Sequence, residues 1–185
     1  AQMKASLPWT QFVGEEGGFI GYGPLTGEFP FQTGRAAREL VARGRGRGRV
    51  VFCDCGFKRF DYHVHPRGEI ARMYASTLAQ GASPWFLVWR DAIRSEGVQT
   101  VLRFNRLLRE HRDTLADGGS LAETALFRSP LNLELAGSVP AASGDDVHRA
   151  EAGAQRLAVP RHTQEFHGLY AALARSGYPF DTIED

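Results

Sequence analysis

The chain has 185 residues, 43% hydrophobic and 23% charged, with a formal net charge of +1. This size allows one domain or two small ones, and a charge balance this even gives no whole-chain attraction to nucleic acid. No apolar run reaches the ~18 residues of a membrane span and no basic-then-apolar segment opens the chain, so the expectation is a cytoplasmic protein with neither nucleic-acid nor membrane partners.

The first residue is Ala1 rather than Met, which reads as a chain cut from something longer. Trp9 to Val13 is a candidate short strand. It leads into Gly14-Glu15-Glu16-Gly17-Gly18, two carboxylates in a glycine-rich loop. At the end of a barrel strand such a pair would be working groups; the plainer reading is a solvated turn. Residues 19–31 are rich in Gly, Pro and aromatics and read as an irregular loop, a type of segment that often carries binding groups. Gly34 to Arg43 reads as a helix with Ala36, Ala37, Leu40 and Val41 inward. The alternating Arg-Gly run from Arg43 to Arg49 resembles RNA-binding tracts, but its brevity between a helix and a strand favours a solvated turn.

Val50-Val51-Phe52-Cys53 is a β-branched and aromatic run ending in Asp54, suited to a strand covered on both faces. After a loop, Ile70, Met73, Tyr74, Thr77 and Leu78 recur at helical spacing, and Gly81 supplies a helix stop. Trp85 to Trp89 is a second apolar strand closing on Arg90. Strand, helix, strand is a crossover unit of parallel strands, so Asp54 and Trp89-Arg90 are expected at one edge of one sheet, where open sheets and barrels bind ligands.

Cys53, Cys55, His63 and His65 have the atoms of a zinc site, though C-x-C-x7-H-x-H is not a standard finger spacing. The bland alternative is two buried thiols beside two loop histidines. Two cysteines cannot build a disulfide scaffold.

Val98 to Leu108 reads as a helix with Val101, Leu102, Asn105 and Leu108 on one side, and Asp117-Gly118-Gly119-Ser120 is the best domain boundary. Leu121 to Ser129 reads as a strand, 130–160 as a mobile loop, Thr163 onward as a helix bearing Phe166, Leu169, Tyr170 and Leu173, and Pro179 to Ile183 as a strand. That order opens a second α/β sheet.

Asp54 closing a strand, the helix GEIARMYASTLAQGA and a strand ending on Trp89-Arg90 together resemble the last two βα units of the barrel in glycoside hydrolase family 42 β-galactosidases and their relatives. The segment H-x-Q-E-F-x-G-L-Y-x-x-L from His162 resembles the first helix of that family's trimerisation domain, which is similar to flavodoxin-like and glutamine-amidotransferase folds. The resemblance implies an α/β chain. Residues 1–117 would be the C-terminal part of a (β/α)8 barrel and 118–185 the start of the trimerisation-like domain. It also implies a carbohydrate substrate, a homotrimer and no cofactor. Asp54 falls where the family keeps a glutamate nucleophile, one methylene longer. Glu15, Glu16, Trp89 and Arg90 fall where the sugar site would be lined. The family's acid/base stands on an Asn-Glu pair; this sequence has none, which places it before Ala1 on this reading. A barrel needs ~200 residues or more to close, so the chain is expected to be a fragment, inactive alone. Two other classes stand beside it: a non-catalytic carbohydrate-binding or assembly protein, and a small metal-binding module using the Cys/His set.

Overall fold

Val51 and Cys53, side by side on one face of a strand, are both fully buried, and the fold is assembled around them. The computed structural model describes residues 11–18, 31–44, 46–57, 60–116, 118–131 and 161–184. Strand β2 (Gly48–Asp54) carries the two residues and lies between β1 (Phe12–Gly18) and β5 (Ser83–Leu87), parallel to both, in the order β1-β2-β5. Helix α1 (Gln32–Gly44) connects β1 to β2, and α2 (Arg67–Ala79) lies on the path from β2 to β5. The two helices pack against each other, so both crossovers lie on one face of the sheet.

Small residues let α1 approach closely: Ala36, Ala37 and Leu40 enter the core. From α2 come Ile70, Met73, Tyr74 and Thr77, the face expected from their spacing. Gly81, at φ +80°, ends that helix, as expected. Tyr74 stacks against Phe86 of β5 and Phe104 of α3 (Glu96–Glu110), at centroid distances of 5.8 and 4.6 Å. Ser95 caps α3 by accepting from the Val98 amide at 3.3 Å. Helix α3 buries Val98 and Val101, whereas Leu102, expected inward, is 48% exposed.

Several boundaries differ from the expectation. Strand β1 continues past Val13 through Gly14-Glu15-Glu16-Gly17-Gly18, so the two glutamates are strand residues rather than loop residues, while Trp9 and Thr10 lie outside the described residues. The reason is a cross-strand fit: a Cβ at Gly14 would lie 2.5 Å from the Phe52 ring, so the glycine makes room for that ring on β2. The stretch after Asp54 is partly a hairpin, β3 (Gly56–Phe57) against β4 (Phe60–Val64). Strand β5 ends at Leu87, and Trp89 precedes a 3-10 turn, Arg90–Ala92. The described residues of the Arg-Gly run make a turn: Gly46 has φ +82°, the Arg47 amide donates to Gly44 O at 2.8 Å, and Arg49 Nη1 donates to Gly81 O at 3.2 Å. The irregular segment 19–30 and the loop 132–160 lie outside the described residues, as does the side chain of Thr163.

A short helix, α4 (Arg112–Ala116), follows α3. Beyond it, β6 (Ala125–Arg128) and β7 (Asp181–Glu184) form a second parallel pair, with α5 (Arg161–Ser176) between them in sequence. Strand β6 is shorter than expected, and Leu121 is 91% exposed. Phe166 and Tyr170 of α5 are buried, while Leu169 is 54% exposed. Strand β7 packs against α1, which is the link between the two sheets. Among the described residues no helix is long and apolar enough to cross a membrane.

The start of α3 sits directly on the chain entering α2: a Cβ at Gly97 would meet His65 O at 2.4 Å and Val64 Cγ1 at 3.1 Å. Backbone cannot yield as a side chain does, so Gly97→Ala is expected to lower stability by about 1–3 kcal/mol in urea unfolding. An unchanged midpoint would show that the α2–α3 contact is looser than described.

Candidate functional site

The carboxyl edge of β1-β2-β5 is where a parallel sheet presents its loops, and the side chains there sort by strand alternation. Asp54 pairs in register with Leu87, so Asp54 and Trp89-Arg90 follow neighbouring, same-direction strands and share one rim, as expected. The rim residues do not play equal parts. Asp54 is only 1% exposed, and its Oδ1 accepts the Gly56 amide at 3.1 Å, shaping the turn into β3. Trp89 packs against the core, and Arg90 is exposed.

Glu15 and Glu16 are separated by the period of the strand. Glu15 lies on the α1 side, where Arg43 Nη1 meets its Oε2 at 3.2 Å. Position 16 pairs in register with Phe52, and its side chain lies outside the described residues. The two glutamates expected to work together therefore belong to different rows of the sheet.

The other face of this sheet carries a feature the residue-by-residue reading passed over. Phe12, Trp85 and Leu87 are 62%, 48% and 37% exposed. Trp85 meets Phe52 edge to face at 5.5 Å, with the ring planes 79° apart. Position 16, Phe52 and Trp85 form one row across the three strands. The signal was present as an aromatic in each strand, Phe52 in β2 and Trp85 in β5, but it has meaning only once the register pairs them and both helices are known to lie on the opposite face.

On the helix side, Glu15 joins a charge network that ties the two sheets together. Arg43 also donates from Nη2 to Glu39 at 3.0 Å and from Nε to Glu184 at 2.9 Å. Arg128 Nη1 lies 2.7 Å from Glu184 and 3.5 Å from Glu39. Arg38 reaches Asp181 at 2.6 Å, and Ser120 donates to the same oxygen at 2.8 Å. The Glu39 and Glu184 side chains are only 6% and 7% exposed, and each faces arginines that compensate its burial. Burial and the neighbouring Glu39 raise the Glu15 carboxyl above its ordinary range, against the pull of Arg43, Arg128 and Arg35. This network was not legible beforehand, because its members come from four separate elements.

Cys53 and Cys55 are fully buried, and burial first, then neighbouring acidic groups, push both thiols up to about 12, so they carry their protons at neutral pH. His65 is buried and burial lowers its pKa, while the His63 side chain lies outside the described residues. Among the described residues no group of three or more His, Cys, Asp or Glu is placed to hold a metal ion. The Cys55 backbone is structural: its amide donates to Leu87 O at 3.1 Å and its carbonyl accepts from His65 N at 2.7 Å.

His167 is pushed down to about 3, by burial first and then by Arg35 and Arg128. The unfolded imidazole takes up a proton near 6.5, so between these values the unfolded state binds more protons and stability is lost as pH falls. Glu15 works in the opposite sense: its raised value contributes stability at low pH that is lost as pH rises through it. Replacing His167→Gln is expected to flatten the acid side of the stability profile, the variant gaining on the parent between about pH 6 and 4 in urea unfolding. Parallel profiles would contradict the buried, neutral imidazole.

No protein-family model, curated protein or solved structure matches this chain.

Proposed function

We propose that the chain is part of a carbohydrate-active protein of the family 42 β-galactosidase type, and that the face of β1-β2-β5 opposite the helices and its carboxyl rim form one wall of a sugar site. The observation that carries this reading is the one-sided sheet. Its strands are parallel, both crossover helices lie on one face, and the opposite face bears the half-buried Phe52 ring with the exposed Trp85 indole against it, beside the rim. A segment of barrel wall has this construction, with helices outside and side chains inward. An indole edge-on to a phenyl ring offers a flat apolar surface for the C–H face of a pyranose.

The function read here is recognition of a galactoside or related sugar. Hydrolysis needs two carboxyl groups astride the bond, about 5–5.5 Å apart for a retaining enzyme. Asp54, buried and holding the Gly56 amide, acts in this reading as the residue that shapes the rim, not as the attacking group. Arg90, exposed at the same rim, is the group placed to hydrogen-bond sugar hydroxyls. The β6-α5-β7 unit is the assembly part of the same reading. Phe127 and Ile183, opposite each other in register, are 51% and 48% exposed and form an apolar pair suited to a contact between copies. Sedimentation velocity at rising concentration is expected to show a species larger than the 20.4 kDa monomer, and a monomer at all concentrations would remove the assembly role.

Calorimetric titration with lactose and methyl β-D-galactopyranoside tests the sheet face. Trp85→Ala is expected to weaken binding about tenfold, ~1.4 kcal/mol, while leaving the far-UV spectrum unchanged, since the indole is 48% exposed. No saturable binding by the parent, or equal binding by the variant, would contradict the assignment.

A further inference from the structure

An open groove of about 610 Å³ runs between the first turns of α2 and residues 100–107 of α3. Its apolar lining is Ala71 of α2 with Phe104 and Leu107 of α3. Phe104 stacks on Tyr74 at 4.6 Å, which fixes its ring, and Leu107 is 47% exposed. A Cβ added at Gly68, on the α2 wall, would meet nothing within 4 Å, so the space beside it is empty of side chains. The two guanidinium groups of the lining are held there by bonds to α3. Arg103 Nη2 donates to Thr100 Oγ1 at 2.9 Å, and Arg67 Nη1 reaches from α2 to Glu96 at 3.4 Å.

Charge is spread unevenly over these helices. Residues 94–112 hold five arginines and two glutamates, a net +3 in a chain whose total is +1. Arg103, Arg106, Arg109 and Arg112 recur at every third position and are all exposed, and among the described residues none of the four forms an ion pair. The arginines between the two sheets differ: Arg38, Arg43 and Arg128 each meet a carboxylate. The Arg67–Glu96 pair is 68% and 66% exposed, and a solvated pair of this kind contributes little and exchanges readily. The groove therefore joins an apolar floor to cationic rims whose negative counterpart is not within the described residues.

We propose that this groove docks an acidic amphipathic helix of a partner protein. Two packed helices offer a third helix a groove, which it enters with apolar side chains at helical spacing. Leucine-sized anchors would lie on Phe104, Leu107 and Ala71, beside the space left by Gly68. Carboxylates flanking them would meet Arg103 and Arg67 at the rims and Arg106 beyond, and this charge complementarity selects the partner. Nucleic acid would use the arginines and leave the apolar floor idle. A bilayer needs one continuous apolar face. Helix α3 turns its own toward the core, and its exposed Leu102 and Leu107, five residues apart, point to different sides. The inference shares no residue with the sheet-face reading and does not rest on it.

The test is fluorescence anisotropy of the full chain with a labelled helical peptide of about four turns, leucines at i, i+3, i+4 and i+7 and glutamates elsewhere. The same peptide with glutamine for every glutamate, an oligouridylate and phosphatidylserine vesicles are run beside it. Saturable binding of the acidic peptide is expected, weakening as salt rises. Arg103→Gln and Leu107→Ser are each expected to weaken it at least fivefold, and Gly68→Leu, which fills the groove without touching its neighbours, at least tenfold. All three positions are exposed, so the variants are expected to keep the parent's far-UV spectrum. No saturable binding, or equal binding of the glutamine peptide, would overturn the proposal. Loss in Arg103→Gln with parent-like binding by Gly68→Leu and Leu107→Ser would reduce the surface to a general polyanion binder and overturn the groove. Tighter binding of the oligouridylate or the vesicles than of the acidic peptide would overturn the partner class.

Discussion

The burial of one face of β2 governs the rest of the molecule. Val51 and Cys53 are fully buried beneath a layer built by Ala37 and Leu40 of α1 and by Ile70, Met73 and Tyr74 of α2. Burying side chains of this size contributes about 1.5–3 kcal/mol each for the larger ones, and it is achieved with helices on a single face. The consequence is chemical as well as structural. With the helix layer committed to one side, Phe52 and Trp85 are left on the other, next to the edge where parallel strands deliver their loops. The sugar-facing role proposed for that surface follows from this asymmetry and not from any single rim residue.

The second sheet is joined to the first through charge. Arg43 and Arg128 bracket Glu39 and Glu184, two carboxylates that are almost completely removed from water. Such pairs gain little over apolar contacts of the same volume, yet removing one partner is costly because the other is left buried and unpaired. Their effect is therefore on specificity of docking: Arg43 and Arg128 both meet Glu39 and Glu184 only when β7 lies on α1 as it does here. Glu15 is drawn into the same network, which is why it belongs to the architecture of the interface and stands apart from position 16.

What could be read from the amino acids alone divides along physical lines. The crossover from β2 through α2 to β5 was legible, because Ile70, Met73, Tyr74 and Thr77 repeat at helical spacing and Gly81 supplies the left-handed stop. The shared edge of Asp54 and Trp89-Arg90 followed from that unit. Strand β1 runs further than expected because Gly14 looks like a loop residue until the Phe52 ring that crosses it is known. The position of Asp54 at a strand end was legible, but the enclosure of its carboxylate and its bond from the Gly56 amide were not. The aromatic row on the face away from the helices and the Arg43 network were illegible for one reason: both depend on which elements lie on the same side of the sheet, and local pattern does not carry that information.

The claim on which this account turns is that a sugar ring lies against the face of β1-β2-β5 opposite its two crossover helices. Intermolecular nuclear Overhauser effects between a bound β-galactoside and the protein measure this directly. The account predicts contacts from the sugar ring protons to the Trp85 indole and the Phe52 ring. Contacts confined to residues of the helix layer, or Trp85 contacts to other protein side chains that cover this face in place of sugar, would contradict it.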